Sequence, residues 1–300
     1  GSVNIGPVIG PNTVNLTLNK SQITLTNTPA AVLGRIANPA DATLNPAFAA
    51  NAGDFSGLGN IIFKNALDTL KIDTNTTLDG TIESNAGGNH GEITVTASKV
   101  VTFNGPIGAT TAIKSLTLDD GATVNLNAAS KFGAAGGATV VKIGNGSSLI
   151  VGAGANLTGV AAADSVDGSA AGKGALIFKG ASAAAIKVGN AAALNKVEIN
   201  NGQVEFKATS FKATTTELNN DNAVLKFTGA GGAYTVETNI VTAKDGKGKV
   251  AISANDVEMK GSIGATGKKI EQLDLGTKKL YFQGADALEL HANSVISAAG

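Results

Sequence analysis

Apolar and polar residues alternate along most of this 300-residue chain, in short runs separated by Gly, Asn and Asp. In "EITVTA" the alternation places Ile93 and Val95 on one side, and in "NGQVEFKA" it places Val204 and Phe206 on one side. A period of two residues is typical of half-buried β-strands. Asn-Gly and Asp-Gly pairs between the runs supply turn positions that tolerate a positive φ. The pattern therefore predicts an all-β protein.

Helical patterning is weak by comparison. No segment keeps an apolar period of 3.6 residues over three helical turns. The Ala-rich stretch 182–196 favours a helix in isolation, but Gly189 interrupts it and strand-like runs flank it. We interpret the stretch as strands, with a helix as the open alternative.

Two motifs recur along the chain. The first is apolar-x-x-apolar-x-apolar, with copies at Leu67/Leu70/Ile72, Ile113/Leu116/Leu118, Leu194/Val197/Ile199 and Ile270/Leu273/Leu275. The second is apolar-x-Phe/Met-x-Gly, with copies at Val101-Phe103-Gly105, Leu176-Phe178-Gly180, Leu225-Phe227-Gly229, Val257-Met259-Gly261 and Leu280-Phe282-Gly284, and a variant at Ile61-Phe63-Asn65. The stretch "VTFNGPIGAT" (101–110) also returns as "VEMKGSIGAT" (257–266).

The uneven spacing of these copies favours a solenoid. Intervals of 23 to 81 residues are too irregular for a propeller or an ankyrin array. A parallel β-helix has turns of about 20–25 residues, and each turn can lengthen at a corner without disturbing the stack. We predict turns built to one plan, with Phe and Leu stacked inward, Gly at the corners, and Thr and Asn facing water. A β-sandwich or an antiparallel barrel is the alternative.

The first 54 residues differ from the rest. Five of the six prolines lie in the first 46 residues, and residues 37–54 have no clear period. Before them, Val14, Leu16 and Leu18, followed by Ile23 and Leu25, predict two strands. We predict a Pro-containing segment at 1–54 that caps a solenoid at 55–300. The chain starts Gly1-Ser2 without Met, so we interpret it as an excised fragment.

Composition narrows the function classes. Lys+Arg and Asp+Glu number 23 each, so net charge gives no reason to expect nucleic acid or an anionic membrane as partner. Arg35 is the only Arg. The absence of Cys excludes disulfides and thiolate metal sites, and it fits an exported bacterial protein. The sequence contains no run of about 18 apolar residues, so it predicts no membrane-spanning helix.

The residues that could carry chemistry are few. His90 and His291 have no second His nearby, and we interpret both as solvated. Adjacent Asp119 and Asp120 point to opposite sides of a strand and are better placed in a turn. Residues 243–250 hold three lysines around Gly, which could contact an acidic partner but are typical of a solvated turn.

One Gly-rich stretch approaches a phosphate-binding loop. In "VDGSAAGKGAL", Gly168, Gly172 and Lys173 are one residue too close, and Gly174 replaces the required Ser or Thr. We therefore predict no catalytic, cofactor-binding or metal-binding residues. A polysaccharide lyase or hydrolase on a β-helix is the alternative, although a chain with no Trp and two Tyr offers little for a sugar-binding groove.

The stretches "GPIGATTAIKSLTLDDGATVNLN", "GALIFKG" and "GSIGATGKKIEQLDLG" give residues 55–300 a resemblance to a known family. They resemble the passenger region of rickettsial surface cell antigens, which are autotransporters, and most of all the outer-membrane-protein-B type. The resemblance implies an all-β, right-handed parallel β-helix carried to the cell surface by a C-terminal outer-membrane barrel. It also implies adhesion to host cells and a structural role in the surface layer.

From this resemblance we expect a non-enzymatic adhesin at the outer membrane, with no cofactor and no membrane insertion by these residues. The expected partner is a host cell-surface protein, which the sequence does not identify. Loops at 128–138, 153–174 and 234–248 are the expected contact regions, since swollen corners would project from the rod.

Overall fold

The computed structural model describes residues 2–5, 14–18, 22–26, 58–64, 68–84, 90–133, 138–229, 234–253, 255–284 and 288–298. This part of the chain consists of β-strands and turns and contains no helix. The strands stack in parallel as a β-solenoid of about nine turns. The predicted parallel β-helix is therefore confirmed. The alternative of a helix at 182–196 is wrong, because three strands occupy that stretch.

The strands are short and follow one another closely. The first are β1 (Ser2–Ile5), β2 (Val14–Leu18), β3 (Gln22–Thr26), β4 (Leu58–Phe63), β5 (Thr69–Asp73), β6 (Thr76–Leu78), β7 (Ile82–Ser84), β8 (His90–Val95), β9 (Val100–Phe103) and β10 (Ile113–Leu118). The next are β11 (Thr123–Leu126), β12 (Ser130–Phe132), β13 (Thr139–Ile143), β14 (Ser148–Val151), β15 (Leu157–Gly159), β16 (Ser165–Gly168), β17 (Lys173–Phe178), β18 (Ser182–Ala185), β19 (Lys187–Val188) and β20 (Leu194–Ile199). The last are β21 (Gln203–Phe206), β22 (Ser210–Leu218), β23 (Val224–Phe227), β24 (Tyr234–Thr242), β25 (Lys249–Ile252), β26 (Val257–Met259), β27 (Ile270–Gly276), β28 (Leu280–Phe282) and β29 (Ala292–Ser297).

Three columns of parallel strands form the three faces of the solenoid. Face 1 contains β1, β3, β5, β8, β10, β13, β16, β19, the first halves of β22 and β24, β26 and β28. Face 2 contains β6, β9, β11, β14, β17, β20, the second halves of β22 and β24, Ile263 and Leu290. Face 3 contains β2, β4, β7, Ile107, β12, β15, β18, β21, β23, β25, β27 and β29.

The turn length agrees with the prediction. Hydrogen bonds between adjacent turns join residues 22 apart in the chain, as for Lys114 and Glu92, and 25 apart, as for Ala122 and Ser147. In most strands, buried and more exposed residues alternate, as they do along β11 and β14. The period of two read from the sequence is therefore the period of burial.

The inward side chains form a single hydrophobic core. Phe103, Phe178 and Phe227 all belong to it and are at most 2% exposed. Five rings make a chain of contacts through the C-terminal half of this core: Phe178, Phe206, Phe211, Phe227 and Tyr234. The Phe206 and Phe211 ring centroids lie 4.7 Å apart, edge to face, which is a favourable geometry for aromatic pairs. Because each turn covers the apolar side of the next, no turn could bury its core alone.

One part of the prediction needs correction: the repeated motifs do not mark one position in the turn. Ile107 of the first ten-residue copy lies on face 3, and Ile263 of the second copy lies on face 2. The apolar-x-x-apolar-x-apolar copies likewise occupy β10 on face 1, β20 on face 2 and β27 on face 3. The motif encodes a strand and its corner, and any of the three faces accepts it.

A glycine corner explains why the motif keeps Ile-Gly or Val-Gly. Gly108, Gly189 and Gly264 have φ values of 65°, 64° and 72°. A Cβ at these three positions would lie 2.4, 2.1 and 2.2 Å, respectively, from a carbonyl oxygen of the following turn. Each glycine N–H donates to a carbonyl of the preceding turn, at 2.7–2.8 Å. Only glycine satisfies both the left-handed backbone and the close approach.

Two strands depart from the three-strand turn. β22 and β24 are nine residues long and run from face 1 to face 2 with no separate turn. In β22 a register shift between Lys212 and Thr215 makes the bend. The sequence signal is the absence of Gly, Pro or Asp within "SFKATTTEL", since nothing there favours a turn.

The N-terminal strands extend the columns. β3 pairs with β1 and with β5 on face 1, and β2 pairs with β4 on face 3. The two strands predicted from Val14 to Leu25 are therefore confirmed. Residues 27–57 lie outside the described part of the chain, so the cap at 1–54 stays a prediction.

Candidate functional site

The predicted contact loops are only partly loops. Residues 234–248 are mostly the strand β24, so the loop prediction there is wrong except for the turn at 243–248. Residues 153–174 contain β15, β16 and the start of β17, which leaves three short segments at 153–156, 160–164 and 169–172. Residues 128–138 contain β12, and residues 134–137 lie outside the described residues.

The outer side of β16 is covered, whereas Lys142 on the neighbouring strand β13 is exposed and Lys187 on β19 is half-buried. All four residues of this strand are buried, including the outward-facing Ser165 and Asp167. The strand is flanked by residues 160–163 and 169–172, and residues 190–193 of the next turn fold back towards it. We call these three segments the β16 loop cluster.

Asp167 holds the cluster together. One carboxylate oxygen, Oδ1, accepts hydrogen bonds from the backbone N–H groups of Ala191 and Ala192, at 2.9 and 3.3 Å. The other, Oδ2, accepts hydrogen bonds from the hydroxyls of Thr139 and Ser165, at 2.6 and 2.5 Å. A buried carboxylate is tolerated only where donors replace water, and here four donors do so.

Asp164 anchors the other side of the cluster. Its Oδ2 accepts hydrogen bonds from the N–H groups of Val160 and Ala161, at 2.8 and 2.6 Å. The side chain is fully buried, and its Oδ1 has no hydrogen-bond partner. Sequence reasoning passed over Asp164 and Asp167. The sequence feature that could have indicated them is a pair of acidic residues within a stretch of small side chains, 160–172, that contains no Lys or Arg.

The exposed part of the cluster is uncharged and carries small side chains. Val160 is 50% exposed, and Ala162, Ala163, Ala170 and Ala171 are also exposed. Backbone hydrogen bonds from Gly168 and Gly172 to the carbonyls of Ala192 and Ala193 tie the segments to each other. Centres of protein interfaces are depleted of charge, and a surface that is already ordered loses little entropy on binding. The cluster can therefore act as a contact surface.

C-terminal to the β16 loop cluster, ion pairs connect adjacent turns of the solenoid on its faces. Lys196 bonds Glu217 at 2.6 Å on face 2, and Glu237 pairs with Lys212 and Lys260 on face 1. Burial raises the pKa of the Glu237 carboxyl, but the Lys260 hydrogen bond and the Lys212 charge outweigh burial, so its pKa lies below its ordinary value. Such exposed pairs stabilise little and mainly keep the surface solvated.

The two histidines occupy different surroundings. His90 begins β8 and is half-buried, with its ring Nδ1 buried and without a partner. His291 precedes β29 and lies 2.7 Å from the Glu289 carboxylate. The solvated interpretation is thus wrong for the His90 Nδ1 atom and incomplete for His291. Within the described ranges, no three His, Asp or Glu side chains lie close enough together to hold a metal ion.

The remaining motifs are structural. Asp119 and Asp120 lie in an exposed turn, where Asp120 Oδ1 accepts the Asn145 N–H at 2.8 Å. Lys173 begins β17, so a strand and not a helix follows the Gly-rich stretch that approaches a phosphate-binding loop. Over the part of the chain that the structure describes, no helix has the length and apolarity to cross a bilayer.

Comparison with known proteins gives two relatives. The chain is 30% identical over 292 residues to outer membrane protein A of Rickettsia rickettsii, which covers 87% of this chain and 12% of the relative. It is 33% identical over 194 residues to outer membrane protein A of Rickettsia conorii (strain ATCC VR-613 / Malish 7), which covers 64% of this chain and 9% of that relative. This chain is similar to a rickettsial outer membrane protein.

These relatives bear on the resemblance found in the sequence. They support a likeness to rickettsial surface proteins, but they are of the A type, so the expected B type is not confirmed. The chain spans about a tenth of the length of either relative. No protein-family model matches the chain, and no solved structure matches it.

Proposed function

We propose that this chain is part of the passenger region of a rickettsial autotransporter, displayed outside the outer membrane. There it acts as an adhesin and as a structural element of the surface layer, without enzymatic activity. The observation that carries the proposal is the similarity to outer membrane protein A along 87% of the chain. The passenger and adhesin roles go beyond that similarity and are the proposal.

The solenoid supports this role physically. Among the residues that the structure describes, parallel pairing along three faces leaves strand edges at the two ends of the stack, so these faces offer no template for unwanted pairing. The core is continuous from Ile61 to Leu273, which makes the rod a stiff support for surface segments. Stiff display lowers the entropy cost of binding for whatever the rod presents.

We assign the β16 loop cluster as the adhesive contact within this chain. Both outward positions of β16 are covered by loops, and two buried carboxylates fix those loops. Its uncharged surface fits the centre of an interface with a host cell-surface protein.

Binding of the 300-residue chain to cultured host cells tests the proposal. We expect saturable binding that falls at least about tenfold in a variant with Val160→Thr, Ala162→Ser and Ala163→Ser. These substitutions change exposed side chains and leave the carboxylate anchors intact. A loss of about 1.4 kcal/mol in binding free energy corresponds to that factor.

The matched control is Ala97→Ser with Val100→Thr, which makes the same kind of change at exposed positions on another part of the rod. Equal binding by the two variants would rule out the cluster as the contact. Absence of binding by the unmodified chain would rule out adhesion through these residues. Release of sugars from a polysaccharide panel would instead favour the lyase or hydrolase alternative.

A further inference from the structure

Lysines from two successive turns converge on one corner of the solenoid, between faces 2 and 3. The turn at 243–248 and the turn at 264–269 lie on each other, since Gly246 N–H donates to the Lys269 carbonyl at 2.8 Å. The Lys269 N–H donates to Asp245 Oδ1 at 2.7 Å. We call Lys244, Lys247, Lys268 and Lys269 the lysine corner.

The lysine corner carries surplus positive charge. Lys244, Lys268 and Lys269 are exposed, and over the described residues none of them forms an ion pair. Lys247 pairs with Asp221, and Asp245 is the acid within the two turns.

Lysines on the faces behave differently. Each of five such lysines pairs with a glutamate of an adjacent turn: Lys196, Lys212, Lys226, Lys249 and Lys260. These five lysines are neutralised within the stack. Over the described residues, Lys131, Lys142 and Lys187 on the faces also form no ion pair, but the corner places three such lysines on two turns that lie on each other. An unneutralised group of cations attracts anions from solution.

Backbone contacts keep these lysines together. Ala265 and Lys268 form a tight antiparallel bridge, closed by reciprocal N–H to carbonyl bonds of 3.1 and 2.9 Å. Gly267 at its tip has a φ of 72°, and the space beside its Cα is open. Adjacent turns of a parallel stack are about 4.8 Å apart. The backbones that carry the four lysines are therefore stacked along the rod axis on an ordered base.

We propose that the lysine corner binds a sulfated polysaccharide, lying along the rod axis. Lysine is a flexible, hydrated point charge, so the side chains of the corner can follow sulfate groups spaced along a linear chain. The corner has Ala, Thr and Gly beside the lysines and no aromatic or large aliphatic side chain. It therefore lacks the apolar residues for membrane insertion and the rings for base stacking. The inference names a partner class for the proposed adhesin and rests on that function for its biological meaning.

Binding to immobilised heparin tests the inference directly. We expect the 300-residue chain to bind heparin with an affinity that falls as salt rises, because counterions are released. A Lys244→Gln, Lys268→Gln, Lys269→Gln variant should bind about tenfold more weakly or worse, with a shallower salt dependence. A Lys131→Gln, Lys142→Gln, Lys187→Gln variant, which loses the same charge elsewhere, should bind like the unmodified chain.

Other results overturn the inference. Equal weakening by both variants would show that overall charge and not the corner attracts the polysaccharide. Absence of heparin binding would also refute the proposed polysaccharide binding. Tighter binding to phosphatidylserine vesicles or to single-stranded DNA than to heparin would refute it as well.

The cell-binding assay separates this inference from the proposed function. A chain that adheres to cells while the corner variant retains full heparin affinity would leave the adhesin standing and refute the lysine corner. A chain that binds heparin through the corner but does not adhere would support the corner and refute the adhesin.

Discussion

The hydroxyl oxygens of Thr216 and Thr238 lie 3.0 Å apart inside the solenoid, each in a different turn. Thr216 is fully buried and occupies a column in which its strand partners are Val197 and Ile240. Thr238 is 3% exposed. Two polar groups are thus accommodated in an apolar core because each satisfies the other.

Removing one hydroxyl should cost more than removing both. Thr216→Val or Thr238→Val alone leaves a buried hydroxyl unpaired, with an expected loss of about 1–3 kcal/mol in the free energy of unfolding. The double variant should be close to the unmodified chain, since both polar groups are gone. Urea unfolding of all four proteins gives the coupling energy, and additive losses would contradict the pairing.

The glycine corner gives a second prediction. Gly189→Ala should destabilise the chain by about 3–5 kcal/mol, because a left-handed alanine and a contact with a carbonyl both cost energy. The Cβ would lie 2.1 Å from the Lys212 carbonyl oxygen, which belongs to the adjacent turn and cannot withdraw.

Gly146→Ala is the matched control for that variant. Gly146 has a φ of 68°, close to the 64° of Gly189, but a Cβ added at Gly146 would have no atom within 4 Å. We expect Gly146→Ala to reduce the free energy of unfolding by only about 1–2 kcal/mol, which is the cost of an alanine in the left-handed conformation. Thermal unfolding midpoints that fall equally in both variants would show that the carbonyl contact is unimportant.

Asp167 should control the order of the loop cluster. Asp167→Ala leaves the N–H groups of Ala191 and Ala192 without their acceptor, and we expect about 2–4 kcal/mol of destabilisation. Amide hydrogen exchange should accelerate at residues 190–193 before the rest of the chain.

Asp120→Ala is the comparison for Asp167→Ala. Asp120 also accepts a backbone N–H, from Asn145, but it is exposed to water. Water can replace that acceptor, so the expected loss is about 1 kcal/mol or less. Unchanged exchange at 190–193 in Asp167→Ala would mean that the loops do not depend on the carboxylate.

Lowering the pH should reduce the free energy of unfolding, partly through Glu237. The pKa of Glu237 is lowered in the folded chain, whereas the pKa of a glutamate in an unfolded chain is about 4.3. The stabilisation that Glu237 contributes to the folded chain is therefore complete above the pKa of the unfolded chain, and it is lost as the pH falls through the pKa of the folded chain. Glu237→Gln should be less stable than the unmodified chain at neutral pH and indistinguishable from it in strong acid.

Unfolding measured across this pH range checks the effect, with Glu258→Gln as the control. Glu258 lies on the same face and forms no ion pair over the described residues. If the stability difference between Glu237→Gln and the unmodified chain does not change with pH, the two lysines do not stabilise the charged carboxyl.

Strand identity followed from local pattern, whereas the loop cluster did not. Alternation in β8 and β21 predicted which side chains are buried, because in a solenoid the same period of two is repeated in every turn. The donors to Asp167 come largely from the adjacent turns, so they could not be read from its neighbours in the sequence. The donors to Asp164 are backbone N–H groups three and four residues earlier, and a backbone donor leaves no signal in residue type. The merging of two faces in β22 and β24 was visible only as missing turn residues.

The sequence by itself determined the all-β class and the inward position of Phe103, Phe178 and Phe227, since each depends on neighbours within a few residues. Only the tertiary structure decided the face on which each motif copy lies, because the face depends on the summed length of all preceding corners. It also decided that lysines distant in sequence share one corner, since stacking places residues about one turn apart side by side.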